Sequence, residues 1–300
     1  MRYNPKPWPL PFPVGRRPVV LYSHVFNEEL LLPFWIRHHA SMFDRAYIFD
    51  YGSTDGTVDI FNTLAPSSWK LVPSKNEMFE ATLVDQEVME MEALCDNCWK
   101  VALTTTEFFI HEDLRSELAQ RDMQMDETKH FQIPTVTMVD KSSKTLLKEV
   151  PLPAQRSNFL KEELGYESFR HLHAFFKEEY KYDVGRHSFV VEKSSSKLEL
   201  LMDAVILKYK YSPWPEVRDR LTQIGARIPE SDVAQRLGFQ HTDRKNNATH
   251  AEVEYKILGT KETSDVLDVD ECDKCTLEAL LKHGFCVTCK LKQTFTDLFS

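Results

Sequence analysis

RAYIFDYGSTDGTVDIFNTL, residues 45–64, decides the fold. Arg45–Asp50 is an apolar run of strand length, and the stretch from Thr57 to Leu64 has the three-to-four spacing of a short helix. Between them Gly52 and Gly56 permit tight backbone geometry. Ser53, Thr54, Asp55 and Thr57 are residue types that cap a helix start. Taken alone, this is a well-capped strand-to-helix turn. The same groups also suit a nucleotide, because carboxylates accept from ribose hydroxyls or a base N–H, and open backbone amides receive anionic groups.

The alternation extends in both directions. Upstream, VVLYSHVF reads as a buried strand and EELLLPFWIRHHASM as a helix, with Pro33 tolerated only near its first turn. Downstream, WKLVPS is a third strand. VDQEVMEMEALCDNC is a helix with Val84, Val88, Met91 and Cys95 on its apolar side and its acids toward water. WKVALTTTEFF is a fourth strand. Units of this length require crossover connections, so the expected fold is α/β, a mostly parallel sheet flanked by helices.

Open sheets of this kind bind ligands at the carboxyl ends of their strands. YGSTDGT, TTTEFF and Asn27-Glu28-Glu29 all fall at that edge. The glutamates also suit a helix start, where negative charge complements the helix dipole.

Past Glu112, FQIPTVTMVD and TLLKEVPLP are predicted to pair as a hairpin and RHSFVVEK to form a strand. LELLMDAVILKYKY fits a strand or a helix. WPEVRDRLTQIGARI and SDVAQRLGF are amphipathic helices, the second with Ser231-Asp232 at its N-cap. The chain divides into a proline-rich extended arm (1–17), a nucleotide-binding half (18–112), an acceptor-side region of the same domain (113–259) and a linker with a Cys-rich module (260–300).

Composition bounds the function class. The 42% hydrophobic and 28% charged fractions are those of an ordinary globular protein. A net charge of −9 without a basic block argues against nucleic acid as a partner. No run of about 20 apolar residues is present to span a membrane. The N-terminus alternates prolines and lacks the apolar core of a secretory signal. All six cysteines fall in C-x-x-C pairs, which without such a signal implies reduced thiols and a cytoplasmic setting. Cys95 and Cys98 read as packing residues. Cys272, Cys275, Cys286 and Cys289 can bring four thiolates to a structural zinc, with His283 as a substitute ligand; disulfides or free thiols are the alternative. A zinc-folded tail would be a place for a protein partner.

FNEE at 26–29, DYGSTDGT at 50–57 and WKVALTTTEFF at 99–109 together resemble, in order and spacing, the nucleotide-binding half of family 2-like glycosyltransferases of the GT-A fold. Gly185-Arg186-His187 and VILKYKYSPWPEVRDR extend the resemblance more weakly. It implies a UDP- or GDP-linked sugar donor, a glycan or other hydroxyl acceptor, and a donor site bordered by Asn27, Glu28, Asp50, Ser53, Asp55 and Arg186.

The family's D-x-D aspartates fall on Thr104 and Thr106, with the following acid kept as Glu107. Neutral hydroxyls are poor ligands for the Mn2+ or Mg2+ that such a pair would bring to the diphosphate. Three readings stay open at this tip. Glu107 and His187 hold a metal weakly; or Arg156, Arg170, Arg186 or Lys208 clamps the diphosphate without metal; or the fold binds its ligand without catalysis. Glu107 also reads as a support for its own loop.

An acceptor hydroxyl needs a base, for which Glu162, Glu163, Glu167 and Asp183 are candidates. Inversion and retention are both open. Tyr166, Phe169, Tyr211 and Trp214 offer faces for sugars or for packing. His171 and His173 share a face only if their segment is a strand. The competing class is a noncatalytic nucleotide or carbohydrate binder with a zinc-stabilised tail.

Overall fold

The computed structural model describes residues 16–95, 97–124, 130–140, 145–160, 169–176, 179–186, 189–191, 198–201, 204–235, 255–261 and 263–265. Glu162, Glu163, Tyr166, Glu167, His187, most of the proline-rich arm and the cysteine tail with His283 lie outside the described residues.

The first half follows the alternation. Strands β1 (Val19–Val25), β2 (Arg45–Asp50), β3 (Trp69–Pro73) and β4 (Trp99–Ala102) run parallel in the order β3-β2-β1-β4. Helices α1 (Leu32–His39), α2 (Thr57–Leu64) and α3 (Ala81–Glu92) make the crossovers. Pro33 sits in the first turn of α1, where its missing N–H costs no hydrogen bond. β1 is buried on both faces. Val19, Leu21 and Val25 join the core under α1 and α2, while Val20 and Tyr22 join the core under α3. That double burial accounts for a run of apolar residues without alternation.

The sheet does not remain parallel. Past β4 it continues β8-β6-β12-β5, using β5 (Glu107–Ile110), β6 (His130–Thr137), β8 (Phe169–His173) and β12 (Val205–Lys208). β8 is antiparallel to both β4 and β6, β12 is parallel to β6, and β5 is antiparallel to β12. The expected mostly parallel sheet is therefore a parallel half joined to a mixed half. Short β7 (Asn158–Leu160), β9 (Tyr180–Tyr182), β10 (Phe189–Val191), β11 (Leu198–Leu200) and β13 (Thr263–Asp265) complete the strands. The remaining described helices include α4 (Leu114–Met123), α5 (Leu152–Gln155), α6 (Val217–Ala226) and α7 (Glu230–Ala234).

Four local expectations are corrected. WKVALTTTEFF is two strands, broken at the threonines, where the Glu107 amide donates to the Thr104 carbonyl (3.0 Å). TLLKEVPLP forms no strand, because β6 takes its partners from β8 and β12 and the prolines open α5 instead. Ser231-Asp232 lies inside α7, whose N-cap is Pro229; Asp232 instead accepts the Ala81 amide at the start of α3 (2.8 Å). The acids of α3 do not all face water: Asp85, Glu87 and Glu92 are buried. Each has polar partners. Arg186 meets Asp85; Ser74 and the Lys75 amide meet Glu87; Tyr180 and Tyr182 meet Glu92.

Candidate active site at the carboxyl edge of the sheet

The strand directions place the carboxyl ends of β1, β2, β3, β4, β6 and β12 at one edge, together with the amino ends of β5 and β8. There the chain after β1 turns through Asn27 at φ 52°, a left-handed position that asparagine tolerates better than most residues.

This turn is sewn to the glycine loop. The Asn27 amide donates to Ser53 Oγ (3.0 Å), and Asn27 Oδ1 accepts from the Thr54 amide (2.8 Å). Asp55 Oδ2 accepts from the Glu29 amide (3.1 Å) and its Oδ1 from the Thr57 amide (2.9 Å). Asp50 Oδ1 accepts from the Ser53 amide (3.0 Å). The structure thus brings Asn27, Asp50, Ser53 and Asp55 together as expected. Their polar atoms are largely spent on one another, so they build the rim of the edge.

The threonine tip has a different design. Thr104 and Thr106 hydroxyls hydrogen-bond each other (2.9 Å). Glu107, fully buried, takes the Nε and Nη2 of Arg170 at 2.5–3.0 Å and the Thr104 amide at 2.9 Å. Burial alone would raise its pKa; the charges of Arg170 and Lys208 outweigh that and hold it at about 2. A hard divalent ion needs several open oxygen ligands. Here the hydroxyls are mutually bonded and the carboxylate is occupied by a guanidinium, so this donor set does not fit such an ion. In this structure Glu107 is spent on its own loop and on Arg170.

Three of the four expected cationic clamps, Arg156, Arg170 and Arg186, are likewise committed to acids. Arg170 Nη1 also donates to the Gly185 and Arg186 carbonyls (3.1 and 3.3 Å). Arg186, at φ 58°, donates from Nη1 to Asp85 Oδ1 (2.6 Å) and lies 3.3 Å from His24 Nδ1. Burial raises the Asp85 pKa above its ordinary value, against the pull of Arg186. Burial and the nearby Arg186 charge keep His24 neutral, its pKa well below the ordinary value. Arg156 is paired with buried Asp140 (3.2 Å). Asp183 is exposed and accepts from the Val184 amide (2.8 Å) and, through its carbonyl, from the Arg186 amide (2.8 Å).

The cation that sequence reasoning missed comes from α6. Arg220 closes on Glu28 with contacts of 2.6–2.9 Å, and its Nη2 reaches 3.5 Å from Thr105 Oγ1. It therefore links the end of β1 to the end of β4. Gln223 accepts from Asn27 Nδ2 (2.9 Å). Arg227 donates to the Tyr51 carbonyl (2.8 Å) and stacks over Phe26, 4.0 Å from the ring centroid. The available signal was the basic segment WPEVRDRLTQIGAR, whose arginines fall on an amphipathic helix; nothing local says which strand ends they meet.

Elsewhere, Phe169–His173 is a strand, so His171 and His173 share a face. They have structural partners: His171 meets His130 (2.7 Å) and His173 meets Tyr182 (3.1 Å), all buried. Tyr211 is buried and Trp214 stacks on Tyr255 (4.4 Å), so both are packing residues. Cys95 and Cys98 are buried, as expected of packing residues, but are joined as a disulfide where separate thiols were expected. No helix among the described residues is long and apolar enough to cross a membrane.

No family model matches the chain, and neither does any curated protein. Among solved structures it is similar to glucosyl-3-phosphoglycerate synthase from Mycobacterium tuberculosis in complex with phosphoglyceric acid, at 16% identity and a TM-score of 0.33, covering 57% of this chain and 61% of that one. The chain thus spans about three-fifths of that relative's length. It is also similar to the same enzyme in complex with Mn2+, UDP and glucosyl-3-phosphoglycerate, at 15% identity and a TM-score of 0.36, covering 72% and 82%. A third similar structure is its complex with Mg2+ and UDP, at 14% identity and a TM-score of 0.37, covering 74% and 80%.

Proposed function

We propose that the carboxyl edge receives a nucleotide-sugar donor and that the protein transfers the sugar to a glycan or other hydroxyl acceptor. The observation that carries this reading is Arg220. It sets a guanidinium between the ends of β1 and β4, where the sequence resemblance locates the donor diphosphate. The donor set at the threonine tip is unsuited to a divalent ion, so charge stabilisation of the leaving diphosphate is assigned to Arg220, which the diphosphate would share with Glu28.

In the reaction, the acceptor oxygen bonds to the anomeric carbon as the bond from that carbon to the diphosphate oxygen breaks. The diphosphate leaves with the electron pair, and a carboxylate takes the acceptor proton. Glu162, Glu163, Glu167 and Asp183 remain the candidates for that carboxylate. Zinc in the tail, a protein partner there and a cytoplasmic setting belong to the same proposal.

The test is nucleotide release from UDP- and GDP-sugars with a panel of hydroxyl acceptors, in Mn2+ and in EDTA. Release at comparable rates in both supports the proposal; absence of both release and nucleotide binding sinks it. The noncatalytic reading is favoured by one observation: Arg220 is already neutralised by Glu28. Saturable UDP or GDP binding without turnover on any acceptor would select it.

A further inference from the structure

A cavity of about 350 Å3 lies at the opposite edge of the sheet from the donor site, between the last turn of α1, the start of α4 and residues 148–151. β5 ends there, and Arg115 of α4 reaches Asp44, which in turn holds the amide of Val19 at the start of β1 (3.6 and 2.8 Å). Its size is at the lower end of that of small-molecule pockets.

Two histidines line it, and both have one ring nitrogen committed. His38 Nε2 donates to the Phe109 carbonyl (2.9 Å). Burial lowers its pKa to about 4, so the ring is neutral and its Nδ1 is a lone-pair acceptor. His111 Nε2 donates to Glu117 Oε2 (3.0 Å), and its buried Nδ1 has no hydrogen-bond partner. A buried polar atom left without a partner is costly, and a ligand that supplies one is favoured by that much.

The rest of the wall narrows the ligand. Phe34, Met42 and Leu114 give it an apolar side. Its charges balance: Arg37, Arg115 and Lys148 stand against Glu112, Asp113 and Glu149. Several are already engaged, Arg37 with the Lys148 carbonyl (2.7 Å), Arg115 with Asp44, and Asp113 with the Ser116 amide (3.1 Å). A strongly ionic ligand finds no surplus of opposite charge. A hydroxyl suits the site better, because it donates to a bare imidazole nitrogen and accepts from a protonated one.

We infer that this cavity, lined by the His38 and His111 imidazoles, is a binding site for a neutral polyhydroxylated ring such as a sugar residue, separate from the donor edge. One ring face packs on the apolar wall and two hydroxyls meet the imidazoles. The inference does not depend on the protein being a transferase.

The experiment is saturation-transfer NMR on the full chain with methyl glucoside, methyl mannoside and myo-inositol. Glucose 6-phosphate and glucosamine serve as charged probes. The expected result is saturable binding of a neutral probe below about 10 mM, with a shift of the His111 Cε1 proton. His111→Phe should weaken it about tenfold and leave UDP or GDP titrations at the other edge as in the parent. Val150→Trp, which fills the cavity from the loop, should abolish it in a protein with unchanged melting. The inference is overturned by no saturable neutral binding, by tighter binding of a charged probe, or by equal binding in a folded His111→Phe or Val150→Trp variant.

Discussion

Arg220 grips Glu28 across 192 residues of chain, guanidinium to carboxylate, with contacts of 2.6–2.9 Å and little of either side chain exposed to solvent. The pair fastens helix α6 to the end of the first strand. Removing one member of such a pair strands the other charge, so Arg220→Met should destabilise the fold by about 3 kcal/mol. Adding Glu28→Gln to that variant should restore part of the loss. Urea melts of the two single variants and the double variant measure this, and strict additivity would mean that the pair is not coupled.

Glu107 and Arg170 are more deeply buried, and their separation should cost about 3–5 kcal/mol. Glu107→Gln keeps the shape of the side chain and isolates the charge. A loss under about 1 kcal/mol would mean that water reaches the pair in solution.

Metal should be irrelevant at the threonine tip. Titration of UDP or GDP into the parent protein should give the same affinity in EDTA and in Mn2+, within about twofold. A tenfold gain with Mn2+ would overturn the assignment of Glu107 as a loop support.

Asp55 accepts amides from two segments, Glu29 and Thr57. Asp55→Ala should therefore lower stability by about 1–2 kcal/mol through loss of two hydrogen bonds from backbone amides. The urea midpoint should fall with an unchanged m-value. Nucleotide binding should weaken as the loop loosens. Unchanged affinity in a folded variant would remove the loop from the site.

Acid should weaken the fold through its buried histidines. Burial lowers the His38 and His130 pKa values to about 4 and about 3, while unfolded histidine titrates near ~6.5. Between those limits the unfolded chain binds more protons, so stability rises with pH and falls on acidification. Each histidine contributes up to about 1.4 kcal/mol per pH unit. Glu107 acts in the same direction at lower pH, its contribution being lost as the pH falls from ~4.5 toward about 2. Melting temperatures from pH 7.5 to 5 should decline, and His38→Gln should flatten the slope. A slope of the opposite sign would mean that these rings are charged in the folded protein.

Local spacing sufficed for the order β1-α1-β2-α2-β3-α3-β4 and for the loop at residues 51–57, because the strands and helices there show their periods and the glycine loop carries its own turn residues. That Asn27 and the 50–57 loop share one strand edge was legible from the strand order; their hydrogen bonds, 26 and 27 residues apart in the chain, were not. The second half was not. Its strands include three-residue pieces such as β7, β9 and β11, too short to show alternation, and β6 chooses β8 and β12 over its neighbour in sequence.

The buried acids mark the division most clearly. Asp85, Glu87, Glu92 and Glu107 read as solvent or ligand groups in the sequence, since nothing beside them neutralises them. Their partners lie elsewhere: Arg186 is 101 residues from Asp85, Tyr180 is 88 from Glu92, and Arg170 is 63 from Glu107. The sequence by itself determined which strands and turns form in the first half, because hydrophobic period and capping act between near neighbours. Only the tertiary structure decided which carboxylates meet solvent and which are sealed under arginine or tyrosine, because a buried charge is tolerated only where the whole fold delivers its partner.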